Sequence, residues 1–187
     1  MIIKKMNAVC SWLVTLILLG HLGTMGVSMF TGWYNYNICK SLAYLTAAFF
    51  AVHVMLSLLI ICFFHDGAAF SYYAKRNKSL MLQRMTGLVM IAFVHLHVKS
   101  FQFIVQGTPL SASEKVFIVI TEAIFFISIF IHVSASFVKS LIVLGLIRTE
   151  KTEKTAAHIV NIICTLVFLF AISALVFFLV GWSGFGG

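Results

Sequence analysis

The chain has 187 residues, of which 61% are hydrophobic and only 10% charged. Soluble domains carry about 25% charged residues, so a water-soluble fold is excluded. Disorder, which needs low hydrophobicity and high charge, is excluded too. The net charge of +8 comes from 13 lysines and arginines against 5 acids. The basic residues lie between apolar runs, which is how a membrane protein sets its orientation, so no nucleic-acid partner is expected.

Five apolar runs follow one another, at residues 10–30, 42–64, 85–105, 116–147 and 159–180. Each exceeds or matches the roughly 20 residues that a membrane helix needs. The runs are continuous rather than alternating, which argues against a β-barrel. The first run follows Lys4 and Lys5 as a signal peptide would. It is long, however, is interrupted by His21 and has no clear small-residue cleavage site, so it reads as the first membrane helix. The connector 33–40 is aromatic and polar, as suits an interface. The second run leads to the longest and most basic connector, 65–84. After the third run, connector 106–115 contains Pro109, a natural helix start. The fourth run is too long for a perpendicular span, so it is tilted or its ends leave the hydrocarbon. The charged segment 148–158 is expected to end the fourth helix, and the fifth run closes the chain. With no linker and no clear repeat, residues 1–187 form one all-α transmembrane domain of five helices.

Lys4, Lys5, Lys75, Arg76, Lys78, Arg84, Arg148, Lys151 and Lys154 fall on one side of this layout, and Lys40, Lys99 and Lys115 towards the other. The excess puts the N-terminus and the second and fourth connectors in the cytoplasm. The four cysteines, Cys10, Cys39, Cys62 and Cys164, form no CxxC and read as small hydrophobes.

The histidines carry the functional signal. His21, His53, His97 and His132 fall inside helices one to four, one on each. His95 also lies inside a span, whereas His65 and His158 sit at helix ends. An ionisable side chain in hydrocarbon needs a partner. A hydrogen bond between helices explains one such histidine, but explains four on successive helices less well. Two neutral imidazoles on facing helices can clamp one haem, and bundle cores are where such sites are built. Small residues flank each histidine: Gly20, Gly23 and Gly26 near His21, Ala51 and Ser57 near His53, Ser100 near His97, and Ser128, Ala135 and Ser136 near His132. At about 1.5 Å per residue, His21 and His97 lie roughly 16 and 18 Å from the outer ends of their helices, and His53 and His132 roughly 20 and 26 Å. Depth therefore favours pairing His21 with His97, and His53 with His132.

The run Met81-Leu82-Gln83-Arg84-Met85-Thr86-Gly87, with His97 ten residues beyond it, resembles the third-helix motif of the cytochrome b subunit of succinate:quinone oxidoreductases. His132-Val133-Ser134-Ala135-Ser136, running on to Leu144-Gly145-Leu146, is similar to that family's fourth helix. His53 ahead of Phe70-Ser71-Tyr72-Tyr73, and Gly20-His21-Leu22, look like its second- and first-helix ligands. The resemblance covers about the whole chain, and the single-chain, five-helix, two-haem form fits best. It implies that the first four helices form a haem-binding bundle holding two haems b. His21 and His97 would ligate the outer one, and His53 and His132 the one nearer the cytoplasm. It also implies a flavoprotein subunit and an iron–sulfur subunit docked on the cytoplasmic face of a bacterial inner membrane. Electrons would pass between them and a membrane quinone, with menaquinone the usual partner of the two-haem form. The dicarboxylate chemistry would lie outside this chain, and the direction of the reaction is not written in these residues.

His95 competes with His97 as third ligand. Two residues apart on a helix they face different ways, and the motif favours His97. Lys139 lies two turns past His132 on the same face, where it either meets a haem propionate or snorkels to the interface; Arg84 and Lys99 are similar candidates. Glu122 is the one carboxylate well inside a span, read either as a proton carrier or as a protonated acid bonded to a neighbouring helix. Some family members carry a glutamate at the outer start of helix two, and some carry one just before the fourth ligand. Here those places hold Lys40 and Ser41, and Phe130 and Ile131. The quinone site is left unplaced, with Gln83, Arg84 and Trp33 as weak candidates. Two other classes compete: a dihaem cytochrome b of the formate dehydrogenase or hydrogenase type, and a histidine-lined transporter.

Overall fold

A computed structural model of the chain describes residues 2–63, 74–105 and 110–181. His65, the run Phe70 to Tyr73, and Pro109 lie outside the described residues. Five helices account for almost everything else: α1 (Ile2–Thr31), α2 (Tyr36–Phe63), α3 (Ala74–Val105), α4 (Ala112–Val143) and α5 (Glu150–Gly181). All five are long and apolar enough to cross a membrane, and no strand occurs among the described residues. The protein is an all-α, multi-pass membrane protein.

The helices run past the apolar segments that reveal them. Each has 28 to 32 residues, or about 42–48 Å at 1.5 Å per residue, against a hydrocarbon core about 30 Å thick. α1 starts at Ile2 rather than near Cys10, and α3 at Ala74 rather than near Met85. The charged segment 148–158 corrects the expectation most clearly. Its residues from Glu150 onward are the first turns of α5 rather than a connector. The fourth helix stops before the end of its apolar run. Leu144 caps it and Gly145 takes a left-handed φ of +78°. There the Gly145 N–H donates to the Ile142 carbonyl and the Leu146 N–H to the Leu141 carbonyl, each at 3.0 Å. These paired bonds satisfy carbonyls that a helix end leaves open, and glycine adopts the required φ without steric penalty.

The start of α4 is fixed by a capping box. The Ser111 hydroxyl accepts the Glu114 N–H at 3.3 Å, and the Glu114 carboxylate accepts the Ser111 N–H at 2.7 Å. This reciprocal arrangement satisfies two otherwise orphaned donors. The signal is local, a Ser-x-x-Glu spacing ahead of the apolar run.

The chain folds into two antiparallel hairpins, α1–α2 and α3–α4, with α5 packed on α4 and α1. α1 also touches α4. At that seam the Trp12 indole stacks on Phe137 at 4.8 Å and its N–H donates to the Ser140 hydroxyl at 2.9 Å. Among the described residues, α2 packs against α1 alone, and its backbone does not approach α3 or α4. The two hairpins are thus joined through α1, while a gap separates α2 from the second hairpin. The apolar core lies away from that gap, where Ile104, Ile118, Leu175, Phe178 and Leu179 bring α3, α4 and α5 together. Outward-facing side chains such as Leu16, Met55, Leu88, Ile120 and Leu166 are exposed and apolar, as lipid contact requires.

Candidate functional site

The four intramembrane histidines are all partly buried, and they fall into two groups. The rings of His53 on α2 and His132 on α4 stand 6.3 Å apart between centroids, at 84° to one another. These imidazoles meet across the gap where the backbones of their helices do not. His21 on α1 and His97 on α3 make up the second group, on helices whose backbones do not come together among the described residues.

One ring of each group is anchored by the opposite helix of the second hairpin. Nδ1 of His132 lies 3.0 Å from the backbone carbonyl of Gln83 on α3. A carbonyl can only accept, so Nδ1 carries the hydrogen and the lone pair of the neutral ring resides on Nε2. The Thr86 hydroxyl approaches the same nitrogen at 3.4 Å. Gly87, one residue on, makes room for the ring. A Cβ there would stand 3.4 Å from Cε1 of His132 and 3.5 Å from Nδ1. The run around Gln83, singled out by sequence for its resemblance to a motif, is therefore the seat of the His132 imidazole.

His97 is held from the other side. Its Nδ1 lies 2.7 Å from Oε2 of Glu122 on α4. Its ring stacks on Phe125 at 4.9 Å and 27°, and meets Phe126 edge-on at 6.4 Å. Glu122, Phe125 and Phe126 are spaced i, i+3 and i+4, so one face of α4 forms the whole seat. Glu122 is buried. This carboxyl group meets a neighbouring helix, and its partner there is His97. Sequence contained a signal for the pairing. His97 stands twelve residues before Pro109 and Glu122 thirteen after it, so the two face each other in an antiparallel hairpin.

The rings contributed by the first hairpin are held differently, and that of His53 meets the backbone of Asn7 on α1. Among the described residues, Nδ1 of His21 and Nδ1 of His53 are buried without a hydrogen-bond partner. A polar atom buried in this way calls for an explanation, of which an absent ligand is one. The residues present fit a bis-imidazole-ligated group. Imidazole–metal bonds are about 2.0–2.1 Å long. Two ring nitrogens on one metal therefore stand about 4 Å apart, with the ring centres somewhat farther. The 6.3 Å spacing of His53 and His132 is of that order. Nδ1-anchored histidines are also the usual form of metal ligand, because the bond to a carbonyl or carboxylate fixes tautomer and orientation. Among the described residues no three His, Cys, Asp or Glu side chains converge.

The remaining candidates divide. Lys139 is half-buried and its Nζ donates to the Gln83 side-chain oxygen at 3.4 Å. Gln83 thus serves His132 through its backbone and Lys139 through its side chain. Arg84, next along α3, is exposed, and so is Lys99. His95 is exposed as well, on a different face of α3 from His97. Trp33 is exposed at the turn between α1 and α2. Of the three glycines near His21, Gly26 does not serve the histidine. A Cβ there would meet the Phe170 ring of α5 at 2.4 Å. Gly23 has nothing within 4 Å of that position.

Comparison with protein-family models, with curated proteins and with solved structures finds no match for this chain.

Proposed function

We propose that this chain is a dihaem cytochrome b that anchors a succinate:quinone oxidoreductase in the membrane. The observation that carries the reading is the His53–His132 pair. These two imidazoles, from helices whose backbones stay apart, stand 6.3 Å from one another, with the Nδ1–H of one engaged by the Gln83 carbonyl. His21 and His97 are proposed as a second site of the same kind; His97 has an anchored Nδ1 and His21 a buried Nδ1 with no hydrogen-bond partner among the described residues.

When bound, haem b supplies one-electron chemistry whose potential depends on its ligands and on burial. The chain supplies the rest. His53 and His132 are the proposed ligands of one haem, and His21 and His97 of the other. Gln83 holds the hydrogen of His132 Nδ1, which leaves Nε2 to ligate. Phe125 and Phe126 pack against the His97 ring. Lys139 and Arg84 are the proposed partners of the acidic side groups of a haem. The proposed topology, argued from the basic N-terminus and connectors, has the N-terminus in the cytoplasm of a bacterial cell, on the side proposed to dock the flavoprotein and iron–sulfur subunits. Quinone, with menaquinone the proposed species, is the membrane substrate.

The test is purification of the tagged full chain from its native membrane in mild detergent. The reading predicts a b-type reduced-minus-oxidised spectrum, two co-purifying soluble subunits containing flavin and iron–sulfur clusters, and quinone-linked succinate or fumarate turnover. A b-type spectrum accompanied by formate or hydrogen oxidation would assign the chain to another respiratory complex. Absence of haem from the intact complex would favour the transporter class.

A further inference from the structure

The contact between Glu122 and His97 stands apart from the apolar core around Ile104 and Ile118 that also joins α3 and α4. It also places a carboxylate in the membrane interior, where such a group is costly without a partner. We propose that Glu122 is the positioning residue of His97: it accepts the Nδ1–H of that ring, presents Nε2 for ligation, and lends negative charge to the ligand. This rests on the reading of His97 as a haem ligand.

Three observations converge. The contact is short, at 2.7 Å, as expected of a charge-assisted bond. The Glu122 side chain is only 5% exposed, against 28% for His97, so the acid is the more enclosed partner and has few alternatives. The ring is also fixed in plane by Phe125, so its orientation and its tautomer are both set from α4. The corresponding nitrogen of His132 is held by a neutral carbonyl instead. The two sites therefore differ in the charge of the group that orients the ligand. A carboxylate behind an imidazole strengthens it as a donor and offsets the positive charge of an oxidised metal. Removing that charge favours the reduced state.

The experiment is a stepwise redox titration, with low-temperature electron paramagnetic resonance, of the intact complex carrying wild-type chain, Glu122→Gln or Glu122→Ala. Haem content is measured in each. Glu122→Gln keeps an acceptor of nearly the same shape and removes the charge. The expected result is two haems per chain, with the midpoint of one moved upward and that of the other unchanged. Glu122→Ala is expected to alter the resonance signal of the same haem, because the ring loses its anchor. Selective loss of the haem that His97→Ala also loses would support the proposal equally. Two haems with unchanged midpoints and signals in Glu122→Gln would overturn it, as would equal loss of both haems. Should Glu122→Ala fail to assemble, Glu122→Gln alone decides. A wild-type complex without haem would instead overturn the reading of His97 as a ligand.

Discussion

At the scale of single residues, the informative groups are those that seat a histidine rather than the histidines themselves. Gly87 lies against the His132 ring, and a Cβ there would stand in ordinary van der Waals contact with it, 3.4 Å from Cε1. Gly87→Ala fits beside the ring and is expected to keep both haems. Gly87→Leu has no such latitude and is expected to leave one haem per chain, measured by pyridine haemochrome. Two unperturbed haems in Gly87→Leu would contradict the seat described for His132. The four histidines were legible in the sequence because an imidazole inside an apolar run is conspicuous. The Gln83 anchor was not, because it uses a backbone carbonyl that any residue possesses. Glu122 was visible as an intramembrane acid, but its partner emerges only when α3 and α4 are folded about their common turn.

At the scale of elements, helix existence was plain and helix ends were not. Apolar runs mark the part of a helix that lies in hydrocarbon. Hydrogen bonding carries the helix further, as it does through the charged residues 150–158 of α5. The stops came from local chemistry instead: the Ser111–Glu114 box and the left-handed Gly145. Packing between elements was the least legible level. Gly26 reads as a small neighbour of His21, yet it is the point where the Phe170 ring of α5 closes on α1. Phe30 adds to that seam, tilted against Phe170 at 5.8 Å and Phe177 at 5.3 Å. Overpacking of this kind costs about 1–3 kcal/mol. Gly26→Ala should lower unfolding stability in detergent by that order, and Phe170→Leu in the same chain should restore most of it. Equal stability of wild type and Gly26→Ala would show that α1 and α5 are not in this contact.

At the scale of the whole molecule, the arrangement is two hairpins hinged through α1 and buttressed by α5, with α2 standing off from the second hairpin. Side chains rather than backbones meet across that gap. Five spans and an all-α fold followed from the apolar runs. The standing-off of α2 did not, because periodicity says which helices exist and not which of them touch.

The central claim is that the histidines act as two pairs, and a double-mutant haem count tests it most directly. Haem is quantified per chain in the intact complex for wild type, His53→Ala, His132→Ala, His53→Ala with His132→Ala, and His53→Ala with His97→Ala. The account predicts two haems in wild type and one in each single variant. It predicts one again in the His53/His132 double variant, because both residues serve the same haem, and none in the His53/His97 double variant. No haem in the His53/His132 double variant together with one in the His53/His97 variant would contradict the pairing, and no haem in wild type would contradict the account as a whole.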